Sequence, residues 1–132
     1  AQKIGFVEDY MEARTKATSA PKVSIVSAAQ DYVNMDGKTV SADAMDLCVR
    51  AISVGMLHKA YPMTVAVASG AAAKIPGTIV SELVRPVEGD IIRLGHSSGV
   101  TEVDMKMDGE TVLKGGVTRT ARRIMDGYVY IR

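Results

Sequence analysis

A run without charged residues extends from Met63 to Ala73, inside the segment YPMTVAVASGAAAKI at residues 61–75. A helix that is apolar on all sides has no face for water, so this pattern predicts a central helix around which other elements pack. A membrane span requires roughly 20 apolar residues, and Pro76 with Gly77 ends this run earlier. Pro62 suits the first helical turn, and Thr64 offers an alternative cap.

The residues before this segment predict one short helix and two short strands. The apolar residues Ile4, Val7 and Met11 are spaced as on one face of an amphipathic helix. The predicted order is a helix over residues 1–14, a connector over 15–22, a strand over 23–26, an Asp36-Gly37 hairpin turn and a strand over 38–40.

A second helix is predicted to begin after Ser41, whose side chain suits the cap position. Its apolar residues repeat at helical spacing, namely Met45, Cys48, Val49, Ile52 and Met56. Asp46 and Arg50 would form an i, i+4 pair outside that apolar stripe. This pattern favours Cys48 as a packing residue over a reactive thiol, because free cysteine usually packs as a small hydrophobic side chain.

The residues after the central helix predict an antiparallel meander. The apolar run at 78–84 is too short to distinguish a strand from a helical turn. Residues 100–107 alternate between apolar and polar, as in a strand with one solvated face. The other predicted features are a turn at 86–90, a strand at 91–94, an Asp108-Gly109 turn, a strand at 111–113, a bulge or bend at Gly115-Gly116, and a closing hairpin of residues 117–124 and 128–131 around Asp126-Gly127.

Composition narrows the classes of function. The chain of 132 residues fits one domain, and its 16 basic and 15 acidic residues give a formal charge of +1. That balance argues against nucleic acid or a membrane surface as partner. The single cysteine excludes an internal disulfide and fits a reducing, cytoplasmic location. The start lacks the apolar region of a signal peptide and begins with Ala1, so we interpret the chain as a piece of a longer protein.

The segment GHSSG at residues 95–99 is the stretch most typical of a binding site. Glycines around two hydroxyls allow backbone N–H groups to surround an anion, although a turn between strands uses the same residues and is favoured by spacing alone. The first turn of the central helix is a second anion site, with His58 and Lys59 just upstream. His58 is interpreted either as a cation at a helix end or as a donor to a carboxylate. Two distant histidines do not predict a metal site.

Three stretches together resemble one family. They are GMLHKAYPMTVAVASGAAAKIPGTIV at 55–80, IRLGHSSGVTEVDM at 92–105 and GVTRTARRIMDGYVYI at 116–131. Their order and content resemble the C-terminal half of the PrpF family, which contains the 2-methylaconitate cis-trans isomerases and methylitaconate isomerase. The resemblance implies an α+β fold of the diaminopimelate epimerase type, in which an antiparallel, barrel-like sheet wraps around a central apolar helix. It also implies that residues 1–132 are the single C-terminal domain of a two-domain isomerase whose N-terminal half is absent.

The resemblance implies a cofactor-independent isomerase that moves a proton and a double bond in a small unsaturated polycarboxylic acid of propionate metabolism. The catalytic lysine is expected in the absent half, so no catalytic residue and no metal ligand is assigned here. The expected substrate-binding residues are Ser97, Ser98, Gly99, His58 and Thr64. The expected partners are the substrate and the missing half, with a homo-oligomer left open. The alternative is a non-catalytic domain of the same fold that binds a small anion or supports assembly.

Overall fold

The computed structural model describes residues 1–119 and 121–131. Short 3₁₀ segments cover Gln2–Ile4, Tyr10–Glu12 and Ala42–Ala44, and the α-helices are α1 (Ala13–Lys16), α2 (Met63–Lys74) and α3 (Ile79–Leu83). The strands are β1 (Val23–Ala28), β2 (Tyr32–Val33), β3 (Thr39–Val40), β4 (Leu47–Ser53), β5 (Met56–Leu57), β6 (Ile91–His96), β7 (Gly99–Asp108) and β8 (Thr111–Val117). This content confirms the α+β class.

The main sheet has the strand order β1-β4-β6-β7-β8, and β5 pairs with β4. All its neighbouring strands are antiparallel except β4 and β6, which run parallel. The chain crosses from β4 to β6 through β5, α2 and α3, because parallel neighbours cannot be joined by a tight turn. A separate hairpin of β2 and β3 turns at Gly37, where φ is 76°. This turn confirms the prediction from the Asp36-Gly37 pair.

The core lies between the sheet and α2. Its buried residues come mainly from the three central strands and are Leu47, Val49, Ala51, Ile92, Leu94, Val103 and Met105, together with Tyr61 and Ala66. The helix packs against β7 and β8. Small residues permit this contact, since an ideal Cβ built on Gly70 would lie 2.8 Å from Met105 Cγ. The apolar run therefore forms the helix that packs on the sheet.

Helix α2 is buried on one face only within the described residues. Ala66, Ser69 and Gly70 are buried, whereas Ala68 is exposed and Met63 is 45% exposed. The prediction of a helix buried on every side is therefore wrong for the described part of the chain. The apolar composition of α2 therefore leaves surface that the described part of the chain does not cover.

The predicted second helix is wrong, because residues 47–53 form strand β4. One face of β4 lies in the same core cluster as Ala66 of α2, and the opposite face carries Cys48, whose Sγ lies 3.3 Å from the Met45 sulfur. A strand covered on both faces loses the alternation that identifies strands. Cys48 is buried, as expected of a packing residue. Asp46 does not pair with Arg50 and instead forms an ion pair with Arg93.

Three other predictions change, and one open alternative is decided. The first 16 residues form short separate turns instead of one helix over residues 1–14. Strand β8 continues through Gly115 and Gly116, and the register irregularity lies between Lys106 and Met107 on β7. The closing hairpin is wrong for residues 118–119 and 121–131, which form no strand, while Thr120 lies outside the described residues. The apolar run at 78–84, for which the sequence did not distinguish a strand from a helical turn, contains helix α3.

Candidate functional site

The segment GHSSG forms the connection between β6 and β7. His96 pairs with Gly99 across the ladder, so Ser97 and Ser98 are the two turn residues. Gly99 has a φ of 137°, which favours glycine at this position. The Ser98 N–H donates to Nδ1 of His96 at 3.2 Å, and the Ser97 carbonyl accepts from the Met35 N–H at 2.8 Å. The segment is thus a tight turn that the β2–β3 hairpin supports from one side.

Ser97 has a buried hydroxyl without a protein partner. The residue is 5% exposed, and no described residue hydrogen-bonds to its Oγ. A buried hydroxyl without a partner costs about 1–3 kcal/mol relative to a satisfied one. The turn therefore retains an unused donor and acceptor close to its backbone N–H groups.

Ser98 ties this turn to the loop that precedes α2. Its hydroxyl donates to the Lys59 carbonyl. In that loop the His58 N–H donates to the Ala51 carbonyl at 2.8 Å, and the Ala60 N–H donates to Nδ1 of His58 at 3.2 Å. His58 follows strand β5 instead of a helix, so its interpretation as a cation at a helix end is wrong. The loop and the turn form one connected unit.

His96 is a member of this unit that the sequence interpretation did not single out. Its Nδ1 accepts from the Ser98 N–H, so the proton of the neutral ring lies on Nε2, which donates to Thr101 Oγ1 at 2.8 Å. Burial lowers the pKa of His96, and electrostatic interaction with Arg50 and His58 lowers it further. The sequence feature that could have identified His96 was its position in the GHSSG motif. A neutral imidazole organises the turn.

The entrance of α2 lies next to a different cavity. Pro62 is the N-cap residue, and the first intrahelical bond runs from the Ala66 N–H to the Pro62 carbonyl at 2.8 Å. The N–H groups of Met63, Thr64 and Val65 thus point away from the helix, as in every first turn. Thr64 is exposed and lines a cavity of about 450 Å³ whose other walls are Met63, Val67 and residues 115–117.

The structure brings four of the five expected site residues together. Ser97, Ser98 and Gly99 form the turn, and the Ser98–Lys59 hydrogen bond places the loop containing His58 against it. Thr64 lies on the α2 cavity, and within the described residues no hydrogen bond links it to the turn. The two groups are joined along the chain by Ala60, Tyr61 and Pro62.

Arg119, Arg122 and Arg123 are exposed. Arg123 and Asp126 form an exposed ion pair at 3.5 Å, of a kind that contributes little to stability. Within residues 1–119 and 121–131, no three His, Cys, Asp or Glu side chains gather as metal ligands do. Helix α2, with 12 residues, is the longest helix described there, and none reaches the length and apolarity of a membrane crossing.

Comparison with known proteins agrees with the segments quoted from the sequence. The chain is 40% identical to 3-methylitaconate isomerase of Eubacterium barkeri over 131 residues, which are 98% of this chain and 34% of that protein. It is 42% identical to 2-methyl-aconitate isomerase of Cupriavidus necator over 135 aligned positions, covering 99% of this chain and 34% of the relative. This chain therefore spans about a third of the length of these relatives.

A solved structure gives the same result for the fold. The crystal structure of methylitaconate-delta-isomerase superposes with a TM-score of 0.86 at 40% identity, covering 97% of this chain and 34% of that chain. The model of the family described as PrpF protein matches residues 1–132. Both findings confirm the family that the three sequence stretches resembled. The chain belongs to the PrpF family.

Proposed function

We propose that this chain is the C-terminal domain of a two-domain isomerase, and that it holds the carboxylates of a small unsaturated polycarboxylic acid such as 2-methylaconitate or methylitaconate. The names of the relatives support this reaction class. The observation that carries the proposal is the buried, unpartnered hydroxyl of Ser97 on a turn hydrogen-bonded to the loop that enters α2.

Proton transfer next to a carboxylate creates negative charge that fixed donors must stabilise. The first turn of α2 supplies backbone N–H groups and the positive end of the helix dipole. The hydroxyls of Ser97 and Thr64 add two more donors. His58, Ser98 and Gly99 hold the loop and the turn in one geometry, so the Ser97 hydroxyl is held in place before the substrate arrives.

We expect the catalytic base in the part of the protein that lies outside this chain. We assign no catalytic residue here, because Lys59 lies next to a helix entrance and suits an anion partner better than a base. We further propose that the reaction needs no cofactor and takes place in the cytoplasm. The sheet would complete its barrel-like wrapping around α2 in the longer protein, which would also cover the apolar helix surface left open here.

The test compares two adjacent serines in the longer protein, with 2-methylaconitate and methylitaconate as substrates. We expect Ser97→Ala to weaken substrate binding by about 1–3 kcal/mol, the range for one lost hydrogen bond to a charged group, without lowering the melting temperature. Ser98→Ala should weaken binding by a similar amount and also loosen the loop, because its hydroxyl supports the Lys59 carbonyl. Ser19→Ala in the exposed connector is the control.

A non-catalytic anion-binding or assembly domain is the second candidate. The same exposed α2 entrance supports it, since holding a carboxylate requires no base. Turnover of either acid by the longer protein would exclude this candidate. Anion binding without turnover, lost in Ser97→Ala, would favour it, and normal binding in both serine variants would contradict the proposed site itself.

A further inference from the structure

The outer face of the sheet contains a second cavity of about 330 Å³. It lies over strands β1 and β4, where Ile25 pairs with Arg50 and Ser27 pairs with Cys48. Directly paired residues of neighbouring strands point to the same face, so these four side chains form its floor. Tyr32 and Gln30 form the remaining polar wall. A cavity of this size falls within the range of small-molecule sites.

Among the residues that the structure describes, Arg50 is the one positively charged residue that lines this cavity, and it is half-buried. Its guanidinium carbon lies 4.5 Å from the centre of the Tyr32 ring, a cation–π contact. Its Nη1 donates to the carbonyls of Val49 at 2.7 Å and Gly95 at 3.1 Å. Among residues 1–119 and 121–131, neither Nε nor Nη2 donates a hydrogen bond, and no carboxylate lies within 4 Å of the guanidinium.

Arg93 shows how this chain neutralises an arginine elsewhere. Its Nη2 lies 2.6 Å from Asp46 Oδ1, and its Nε contacts both carboxylate oxygens at 3.2 Å. The same two nitrogens are unused in Arg50. A guanidinium edge with two parallel N–H groups matches the two oxygens of a carboxylate. Arg50 thus presents its Nε and Nη2 edge to the cavity. On Arg93 the same edge is occupied by Asp46.

We propose that this cavity binds a small organic carboxylate through Nε and Nη2 of Arg50. The ring of Tyr32 holds the guanidinium in place, and Ser27 and Gln30 offer further hydrogen-bonding groups. Ile25 and the neighbouring Cys48 contact the short apolar part of the ligand. A single cation and an apolar wall favour a carboxylate with a hydrocarbon body over the more strongly hydrated phosphate. The inference does not rest on the function proposed above.

The test is an NMR titration of the 132-residue chain with butyrate, followed through the amide signals of Tyr32 and Cys48. Ile25 is 60% exposed and directly opposite Arg50, so Ile25→Glu places a carboxylate of the protein on the guanidinium without disturbing the core. We expect this variant to bind butyrate at least about tenfold more weakly. Ile25→Gln differs from Ile25→Glu only in charge and should bind butyrate at least about tenfold more tightly than Ile25→Glu.

Arg50→Gln should lose butyrate binding to the same degree, whereas Arg85→Gln, which removes a charge elsewhere, should keep it. Neutral butyramide should bind at least about tenfold more weakly than butyrate. The absence of a saturable shift with butyrate would overturn the proposal, as would equal binding by Ile25→Glu and Ile25→Gln. Equal or tighter binding of inorganic phosphate or butyramide would overturn the assignment to a carboxylate.

Discussion

Asp46 and Arg93 are joined through both their side chains and their backbones. The Asp46 carboxylate is buried, accepts the Arg93 guanidinium and also accepts the Arg93 N–H at 2.8 Å. The Asp46 N–H in turn donates to the Arg93 carbonyl at 2.8 Å. This double connection holds the start of β4 beside β6, next to the register pair of Leu47 and Leu94.

Asp46→Ala should therefore destabilise the chain. Removing the carboxylate leaves the Arg93 N–H and guanidinium without their acceptor, which should cost about 1–3 kcal/mol of unfolding free energy. Urea denaturation measures this difference. Asp43→Ala is the matched control, because its exposed pair with Arg85 at 3.4 Å should contribute under about 1 kcal/mol. Equal losses in the two variants would contradict the structural role of Asp46.

The packing of α2 is tested by two leucine substitutions on the same helix. Gly70→Leu introduces a side chain where an ideal Cβ already lies 2.9 Å from Val103 Cγ1, so it should cost about 1–3 kcal/mol or more through overpacking. Ala68→Leu, at an exposed position, should change the melting temperature little. Thermal unfolding of both variants gives the comparison. An unchanged melting temperature in Gly70→Leu would show that this face does not pack on β7.

Val54 is a β-branched residue with a φ of 52°, in the turn between β4 and β5. Such residues are strongly disfavoured at positive φ, whereas asparagine tolerates it. Val54→Asn should therefore stabilise the chain by about 1 kcal/mol in chemical denaturation. Val33→Asn, a change at a similarly exposed valine within strand β2, should give no gain. A loss of stability in Val54→Asn would mean that the valine side chain makes a contact that outweighs its backbone strain.

His96 should make stability depend on pH. Its folded-state pKa is lowered by burial and by electrostatic interaction with Arg50 and His58, whereas in the unfolded chain His96 titrates near 6.5. The unfolded state then binds more protons below that pH, so the His96 contribution is complete above about 6.5 and is lost as the pH falls toward the lower folded-state pKa. Urea unfolding between about pH 8 and pH 5.5 should show declining stability.

His96→Gln should lower stability at pH 8, because it removes the Nδ1 acceptor of the Ser98 N–H, and should flatten the decline at lower pH. His58→Gln is the control and should keep most of the decline. A decline that is equally steep in His96→Gln would assign the effect to other groups.

The sequence correctly predicted those elements whose hydrophobic pattern matches their contacts in the structure. The apolar run at residues 61–75 is helical because its small residues fit closely on the sheet, and β7 alternates because one of its faces is solvated. Strand β4 was not predicted, because both its faces are covered and its apolar residues therefore do not alternate with polar ones. The spacing of these apolar residues also matches one face of a helix. Arg50 illustrates the consequence, since on a helix it would pair with Asp46, but on a strand it faces Tyr32.

The sequence named the residues of the candidate site but did not indicate how they are arranged. The glycines and serines of residues 95–99 indicated a turn, and the turn is present. The hydrogen bond from Ser98 to the Lys59 carbonyl joins residues 39 positions apart, and no local spacing encodes it. The same holds for the unpartnered Ser97 hydroxyl, because burial depends on the β2–β3 hairpin that packs against the turn.

The parallel contact between β4 and β6 has a consequence for the order of folding. It consists of only two register pairs, Leu47 with Leu94 and Cys48 with Gly95, while the strands on either side are joined mostly by local antiparallel pairing. Closing it requires the chain between β5 and β6 to form its helices and return, which carries an entropic cost that hairpins avoid. The β6–β7–β8 hairpins should therefore form early, and the junction at Gly95, covered by the Met45 side chain, should close last.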